Sequence, residues 1–189
     1  DHIGGGFARY STDERFLVPH FEKMLEDNAL LVMAYVEAYR LTGRRMFQAV
    51  AERTIAYVLD ELGNPEGGFY SAQDADARDG EGSYYFLTPG EVAAALGRSD
   101  AKWFCEHYAI TPEGLIEGKS IPHLLDNEGF EQEPRTLPQM REKVYAYRKS
   151  RMPLHTDKKI RTGANALMAA ALCRACRAFG GEHYLNAAV

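Results

Sequence analysis

The sequence predicts an all-α protein, an (α/α) toroid of helical hairpins or part of one, with short β excursions at one rim. Three observations carry this. Segments 21–41 and 45–62 are both amphipathic with helical spacing, and a glycine stop joins them. A Gly-Gly-Phe string occurs twice, in Gly4-Gly5-Gly6-Phe7 and in Glu66-Gly67-Gly68-Phe69. The turn Leu41-Thr42-Gly43, with Phe47 and Ala51 after it, is echoed by Phe179-Gly180-Gly181 with Tyr184 and Ala188. The repeating unit is therefore helix, tight turn, helix and Gly-Gly-Phe rim loop. A lone hairpin cannot bury its apolar stripe, whereas a ring of hairpins can.

In the first segment Phe21, Met24, Leu25, Leu31, Val32, Tyr35, Val36 and Tyr39 form one stripe. Pro19 stands near its start and Thr42-Gly43 closes it. In the second, Phe47, Val50, Ala51, Thr54, Ile55, Val58, Leu59 and Leu62 recur at alternating steps of three and one. So short a connection makes the two helices antiparallel. Gly63-Asn64-Pro65-Glu66-Gly67-Gly68 ends the pair. Phe69-Tyr70-Ser71 and Ser83-Tyr84-Tyr85-Phe86-Leu87 are β-prone and flank Asp79-Gly80, which predicts a short irregular hairpin at the rim. Thr88-Pro89-Gly90-Glu91 has the spacing of a capping box and opens a short helix over 89–97. A second short helix, 99–107, carries Trp103 and Phe104. Residues 109–136, rich in Pro, Gly and acids, read as a long connection. Helices follow over 137–150, 160–179 and 182–189. With about three hairpins the ring is incomplete. Residues 1–189 are expected to be one partial toroid, a segment of a longer protein that supplies the remaining hairpins.

Composition narrows the function. Apolar residues are 46% and charged residues 26%, ordinary for a soluble globular chain. No apolar run reaches the roughly 20 residues of a membrane span, so no membrane partner is expected. The formal charge of −5 argues against nucleic acid, whose phosphates demand a basic face. The basic stretch from Arg141 to Arg161 is interrupted by Pro and acids and reads as a solvated helix face. Three cysteines, an odd number, suit a reducing compartment, with the cytoplasm the expected location. Cys173-Arg-Ala-Cys176 falls inside an Ala-rich helix, not at a helix start where the dipole would activate a thiol, and reads as two small residues. No cofactor and no metal are expected. The acids of Asp74-Ala-Asp76-Ala-Arg-Asp79-Gly80 miss the spacing of a calcium loop.

The chemistry-bearing candidates lie beside the glycine loops. His20 and Glu22 fall at the start of the first predicted helix, where the dipole favours a carboxylate over an imidazolium. A neutral imidazole there is a workable general base. The competing reading is that His20 packs a helix start and Glu22 binds backbone N–H groups. Asp74, Asp76 and Glu81 concentrate carboxylates in one loop, as acid or substrate-fixing groups for sugar chemistry. They serve equally well to build the turn. Arg9, Tyr10 and Asp13 follow the first glycine loop and are expected on the same rim. Tyr10, Phe69, Tyr70 and Tyr84 offer aromatic faces to a sugar, or else plug the core.

The strings Gly4 to Asp13, Val18-Pro19-His20-Phe21-Glu22-Lys23-Met24-Leu25, Gly67 to Asp76 and Glu81-Gly82-Ser83-Tyr84-Tyr85 are similar to the YyaL-type thioredoxin-domain-containing proteins, the spermatogenesis-associated protein 20-like family. Weaker similarity continues through Glu117-Gly118-Lys119, Arg148, Arg151, Pro153, Asp157 and Lys159-Ile160. The resemblance implies a fold like the six-hairpin glycosidases and the N-acylglucosamine and cellobiose 2-epimerases. It also implies a thioredoxin-like domain before Asp1 in the full-length protein. It carries no reaction. The chain departs from the family pattern at Gly163-Ala164-Asn165-Ala166-Leu167-Met168, where Ser-Trp-Asn-Gly-Leu-Met is usual. The Trp that would stack on a sugar is missing. Two functions follow as expectations: sugar hydrolysis or epimerisation by acid–base chemistry, or a non-catalytic scaffold that binds a glycan or protein for the thioredoxin-like domain.

Overall fold

A computed structural model describes residues 1–125, 127 and 133–188. Residues 126 and 128–132 of the predicted long connection, and residue 189 at the end of the last predicted helix, lie outside the described residues. In chain order the elements are β1 (Tyr10–Ser11), β2 (Pro19–His20), β3 (Lys23–Met24), α1 (Leu25–Thr42), α2 (Arg45–Tyr57), β4 (Ala72–Gln73), β5 (Asp76–Ala77), β6 (Gly80–Glu81), α3 (Pro89–Leu96), α4 (Arg98–His107), α5 (Leu137–Arg151), β7 (Thr156–Asp157), α6 (Thr162–Phe179) and α7 (Glu182–Ala188). The protein is mostly helical, and the strands are two-residue ribbons. The chain divides into two compact units.

One unit contains Asp1–Gly4, Tyr10–His20 and Asp76–Leu154. Its ribbons are the antiparallel pairs β1–β2 and β5–β6. Its core gathers Leu87, Val92, Phe104, Tyr108, Leu137 and Val144 from α3, α4, α5 and their flanks. The capping box forms as expected. Thr88 Oγ1 accepts from the Glu91 N–H, and the Glu91 carboxylate accepts from the Thr88 N–H. The predicted strand 83–87 is instead a turn leading to a single bridge at Leu87. Its tyrosines are β-prone, but Tyr84 and Tyr85 are drawn inward by the buried Arg148, whose guanidinium lies 4.7 and 5.2 Å from their ring centres. Arg148 also forms a two-point ion pair with Asp1, at 3.1 and 2.6 Å.

The other unit contains Gly5–Arg9, Phe21–Ala75 and His155–Val189. Helix α1 packs on α2 and on α6, and α6 also packs on α7. Leu25, Val32, Val36, Ile55, Met168 and Leu172 are fully or almost fully buried among them. The sheet is β3–β4–β7, antiparallel throughout. Helix α1 begins at Leu25, four residues later than expected. Phe21 and Lys23 are buried while Glu22 and Met24 are partly exposed, the alternation of an extended strand. Gly43 closes α1 in the left-handed conformation. Helix α2 ends in a π-helical turn, Val58–Leu62. Both Gly-Gly-Phe loops need their glycines: Gly6 has φ +70° and Gly68 has φ +76°, and a Cβ on Gly6 would fall 2.4 Å from the Tyr57 ring.

Candidate functional site

In the first unit, Tyr10 and His20 are cross-strand partners on β1 and β2, and their rings stack with centres 4.9 Å apart. The His20 Nδ1 lies 2.9 Å from Glu81 Oε1. Glu81 sits on β6 opposite Asp76 of β5. Two short ribbons therefore present an imidazole, its carboxylate partner and an aromatic face together. Glu81 is placed to accept a hydrogen bond from His20 Nδ1–H. The helix-dipole argument for His20 and Glu22 does not apply, because both precede α1. The acids of its first turn are Glu26 and Asp27.

Asp13 builds its own loop. Its carboxylate accepts from the N–H groups of Val18, Leu17 and Arg15 and from the Ser11 hydroxyl. The Val18 N–H, with the other donors, holds its carboxyl below the ordinary value. Tyr84 is buried against Arg148 and offers no free face.

In the second unit, Arg9 is 3.4 Å from both Glu22 and Asp27, so Glu22 faces a cation. Phe69 is a core residue. The Tyr70 hydroxyl donates to Asn64, with Lys158 lying 6.0 Å over its ring. Asp74 pairs with His155: its Oδ2 lies 2.7 Å from His155 Nδ1. The Asp74 N–H donates to the His155 carbonyl at 2.9 Å, so backbone and side chains bind the same two residues. Lys159 holds the nearby Asp157 carboxyl below its ordinary value.

Lys23 is the other residue that pattern reading missed. It is 2% exposed, donates to the Gly5 carbonyl at 2.7 Å and lies 4.3 Å over the Tyr57 ring. The Tyr57 hydroxyl reaches Gln73, and Gln73 reaches Glu61. This buried network ties the first glycine loop to the sheet.

A cleft of about 500 Å³ lies elsewhere, between α3, α4 and the segment after α4, lined by Pro89, Ala93, Ala101, Cys105 and Ile110 among others. None of the candidate residues lines it. Burial pushes the Cys105 thiol up to about 11, which leaves it unreactive. Cys173 is exposed on α6 and Cys176 half-buried. Among the described residues no cluster of three or more metal-ligating side chains occurs, and no helix is long and apolar enough to cross a membrane.

These features define a mostly helical protein whose His–carboxylate pairs ride on short β-ribbons. No family model matches the chain. Human spermatogenesis-associated protein 20 is 34% identical over 224 residues, covering 98% of this chain and 28% of that protein. The mouse protein of the same name is 33% identical over 216 residues, covering 96% and 27%. The chain belongs to the spermatogenesis-associated protein 20 family and spans 28% of the human relative's length. A cellobiose 2-epimerase from Bacteroides fragilis is 35% identical over 71 residues, covering 37% of this chain and 18% of the enzyme. A crystal structure of D-mannose isomerase aligns with 97% of this chain and 44% of its own, at 16% identity and a TM-score of 0.36.

Proposed function

We propose that this segment takes part in acid–base chemistry on a sugar, and that the reaction is epimerisation or isomerisation rather than glycoside hydrolysis. The single observation that carries it is the His20–Glu81 pair with Tyr10 stacked on the imidazole. The likeness to a cellobiose 2-epimerase over 71 residues supports the sugar class. Hydrolysis needs a carboxylic acid kept protonated by apolar surroundings. Glu81 is instead half-exposed and bound to an imidazole.

In the reading proposed, Glu81 orients His20, and the imidazole removes the proton on the carbon next to the carbonyl of an open-chain aldose. Delivery of a proton to the opposite face of that carbon gives the epimer; delivery to the former carbonyl carbon, with the adjacent hydroxyl proton passing to the former carbonyl oxygen, gives the ketose. The exposed Tyr10 ring stacks on the sugar. In the second unit Asp74–His155 is a further His–carboxylate pair for proton transfer or hydroxyl binding. Asp76 is the hydroxyl-fixing carboxylate of the first unit, and Glu22 and Arg9 are the hydroxyl-binding groups of the second. The helical hairpins belong to a partial (α/α) toroid that the longer proteins complete, beside a thioredoxin-like domain, in the cytoplasm.

The test is turnover of a panel of free aldoses and β-linked disaccharides by the full-length protein, followed by proton NMR. Wild type converts at least one sugar, and His20→Gln slows it by roughly 10²–10⁴-fold, the usual contribution of a positioned acid–base group. Equal rates for the two proteins refute the assignment. A second reading is favoured by one observation: the cleft of the first unit contains none of these residues. In it the ribbons bind a glycan or protein without catalysis. Saturable sugar binding with no turnover selects it.

A further inference from the structure

The two Gly-Gly-Phe loops belong to one duplicated module, and the duplication extends to individual hydrogen bonds. Phe7 donates its N–H to Asn28 Oδ1 at 2.8 Å, and Asn28 Nδ2 returns a bond to the Phe7 carbonyl at 3.1 Å. Phe69 donates to Asn165 Oδ1 at 2.7 Å, and Asn165 Nδ2 returns a bond to the Phe69 carbonyl at 3.0 Å. Each Asn also donates to the carbonyl of the residue just before its helix: Met24 for Asn28 at 2.8 Å, Arg161 for Asn165 at 3.1 Å. With Phe7 matched to Phe69 and Asn28 to Asn165, the strand pairs coincide. Tyr10–His20 and Ser11–Pro19 correspond to Ala72–Asp157 and Gln73–Thr156. The bond from the Thr12 N–H to the Val18 carbonyl corresponds to the one from the Asp74 N–H to the His155 carbonyl. The two glycines immediately before each phenylalanine, Gly5 and Gly6, Gly67 and Gly68, have positive φ.

We infer that Asn165 is a positioning residue for the Asp74–His155 pair. One side-chain amide pins both strands of a ribbon to one helix end. In the second copy it grips the strand leading to Asp74 through both backbone groups of Phe69. It grips the strand leading from His155 through the Arg161 carbonyl. The register between Asp74 and His155 is thereby referred to the start of α6. The glycine matters for the same reason: a Cβ on Gly68 would come within 3.0 Å of Asn165 Oδ1. An amide carries two N–H donors beside a carbonyl acceptor on one uncharged group, so neither Asp nor Leu reproduces the grip.

The inference rests on the proposed acid–base role for its use, but its test needs no substrate. Imidazole ¹⁵N shifts report which His155 nitrogen carries the proton. In wild type, the bond to Asp74 fixes one tautomer, and Asp74→Asn marks the released end point. Asn165→Ala moves the His155 shifts at least half-way to that end point. Asn165→Asp, which keeps the acceptor for Phe69 N–H and loses both donors, moves them in the same direction and serves if the Ala variant does not fold. Asn28→Ala leaves His155 where it was. Met168→Ala, a large cut in the core beside α6, also leaves the shifts in place, which separates positioning from general loosening. Wild-type shifts in a folded Asn165 variant overturn the inference, as does an equal response to Met168→Ala.

Discussion

Arg151 fastens the 83–86 turn to two helices, and its removal gives a sharp stability prediction. Its guanidinium donates to the carbonyls of Phe86, Ser83 and Tyr84 and to the Glu91 carboxylate, at 2.9, 3.1, 2.6 and 2.6 Å. Arg151→Met keeps the aliphatic stem and removes all four bonds. Breaking a buried ion pair from one side costs roughly 3–5 kcal/mol. Here the side chains are 19% and 22% exposed, and Glu91 retains Thr88 as a donor. The expected loss is therefore lower, about 2–3 kcal/mol. Burial pushes the Glu91 carboxyl up, but the Arg151 bond and charge, with Thr88, outweigh it and hold the group below its ordinary value. A lowered folded pKa means stability that is present above the ordinary Glu value, ~4.3, and is lost as pH falls through the lower folded value. The cost of Arg151→Met should thus shrink when unfolding is repeated in acid. The single tryptophan, Trp103, lies on α4 of the same unit, so urea unfolding followed by its fluorescence reads this unit directly. A loss under about 0.5 kcal/mol at neutral pH, the scale of an ordinary surface change, would refute the reasoning.

Other consequences can be checked alongside. Gly6→Ala places a Cβ against the Tyr57 ring at positive φ and should cost more than about 1 kcal/mol in chemical denaturation, beyond the usual Gly-to-Ala strain. Thr88→Ala removes the α3 cap and should cost about 1 kcal/mol, while Thr88→Ser recovers most of it. Thiol labelling at mild alkaline pH should modify Cys173 quickly and Cys105 only after unfolding, as mass spectrometry of digested protein would show. Tyr10→Ala should raise KM more than it lowers kcat if the ring only stacks on the sugar; an unchanged KM would remove it from the site.

Much of the helical framework was legible because local signals agree with tertiary burial. The three-and-one spacing from Phe47 to Leu62, the Thr88–Glu91 box and the Gly43 stop each have a local physical cause. The start of α1 was misread because Phe21, Lys23 and Leu25 alternate in burial, while Phe21, Met24 and Leu25 also fit a helical stripe. Nothing in a strand of two residues has enough period to decide between them. The 83–87 segment was misread because its tyrosines favour strands in isolation, whereas a guanidinium 63 or more positions away draws two of them inward. The side-chain pairs lie further beyond pattern reading. His20 meets Glu81 across 61 residues, and Asp74 meets His155 across 81. Only the folding of separate ribbons creates such pairs. The glycine echo was legible as a motif, but the asparagine that completes each copy stands 21 or 96 residues away.

The most direct measurement is deuterium uptake by a reducing sugar in heavy water. If His20 carries the proton next to the carbonyl, wild-type protein replaces that hydrogen of its substrate with deuterium, and His20→Gln and Glu81→Gln each suppress the exchange. Undiminished exchange in a folded His20→Gln protein would contradict the account, as would no exchange by wild type on any sugar it binds.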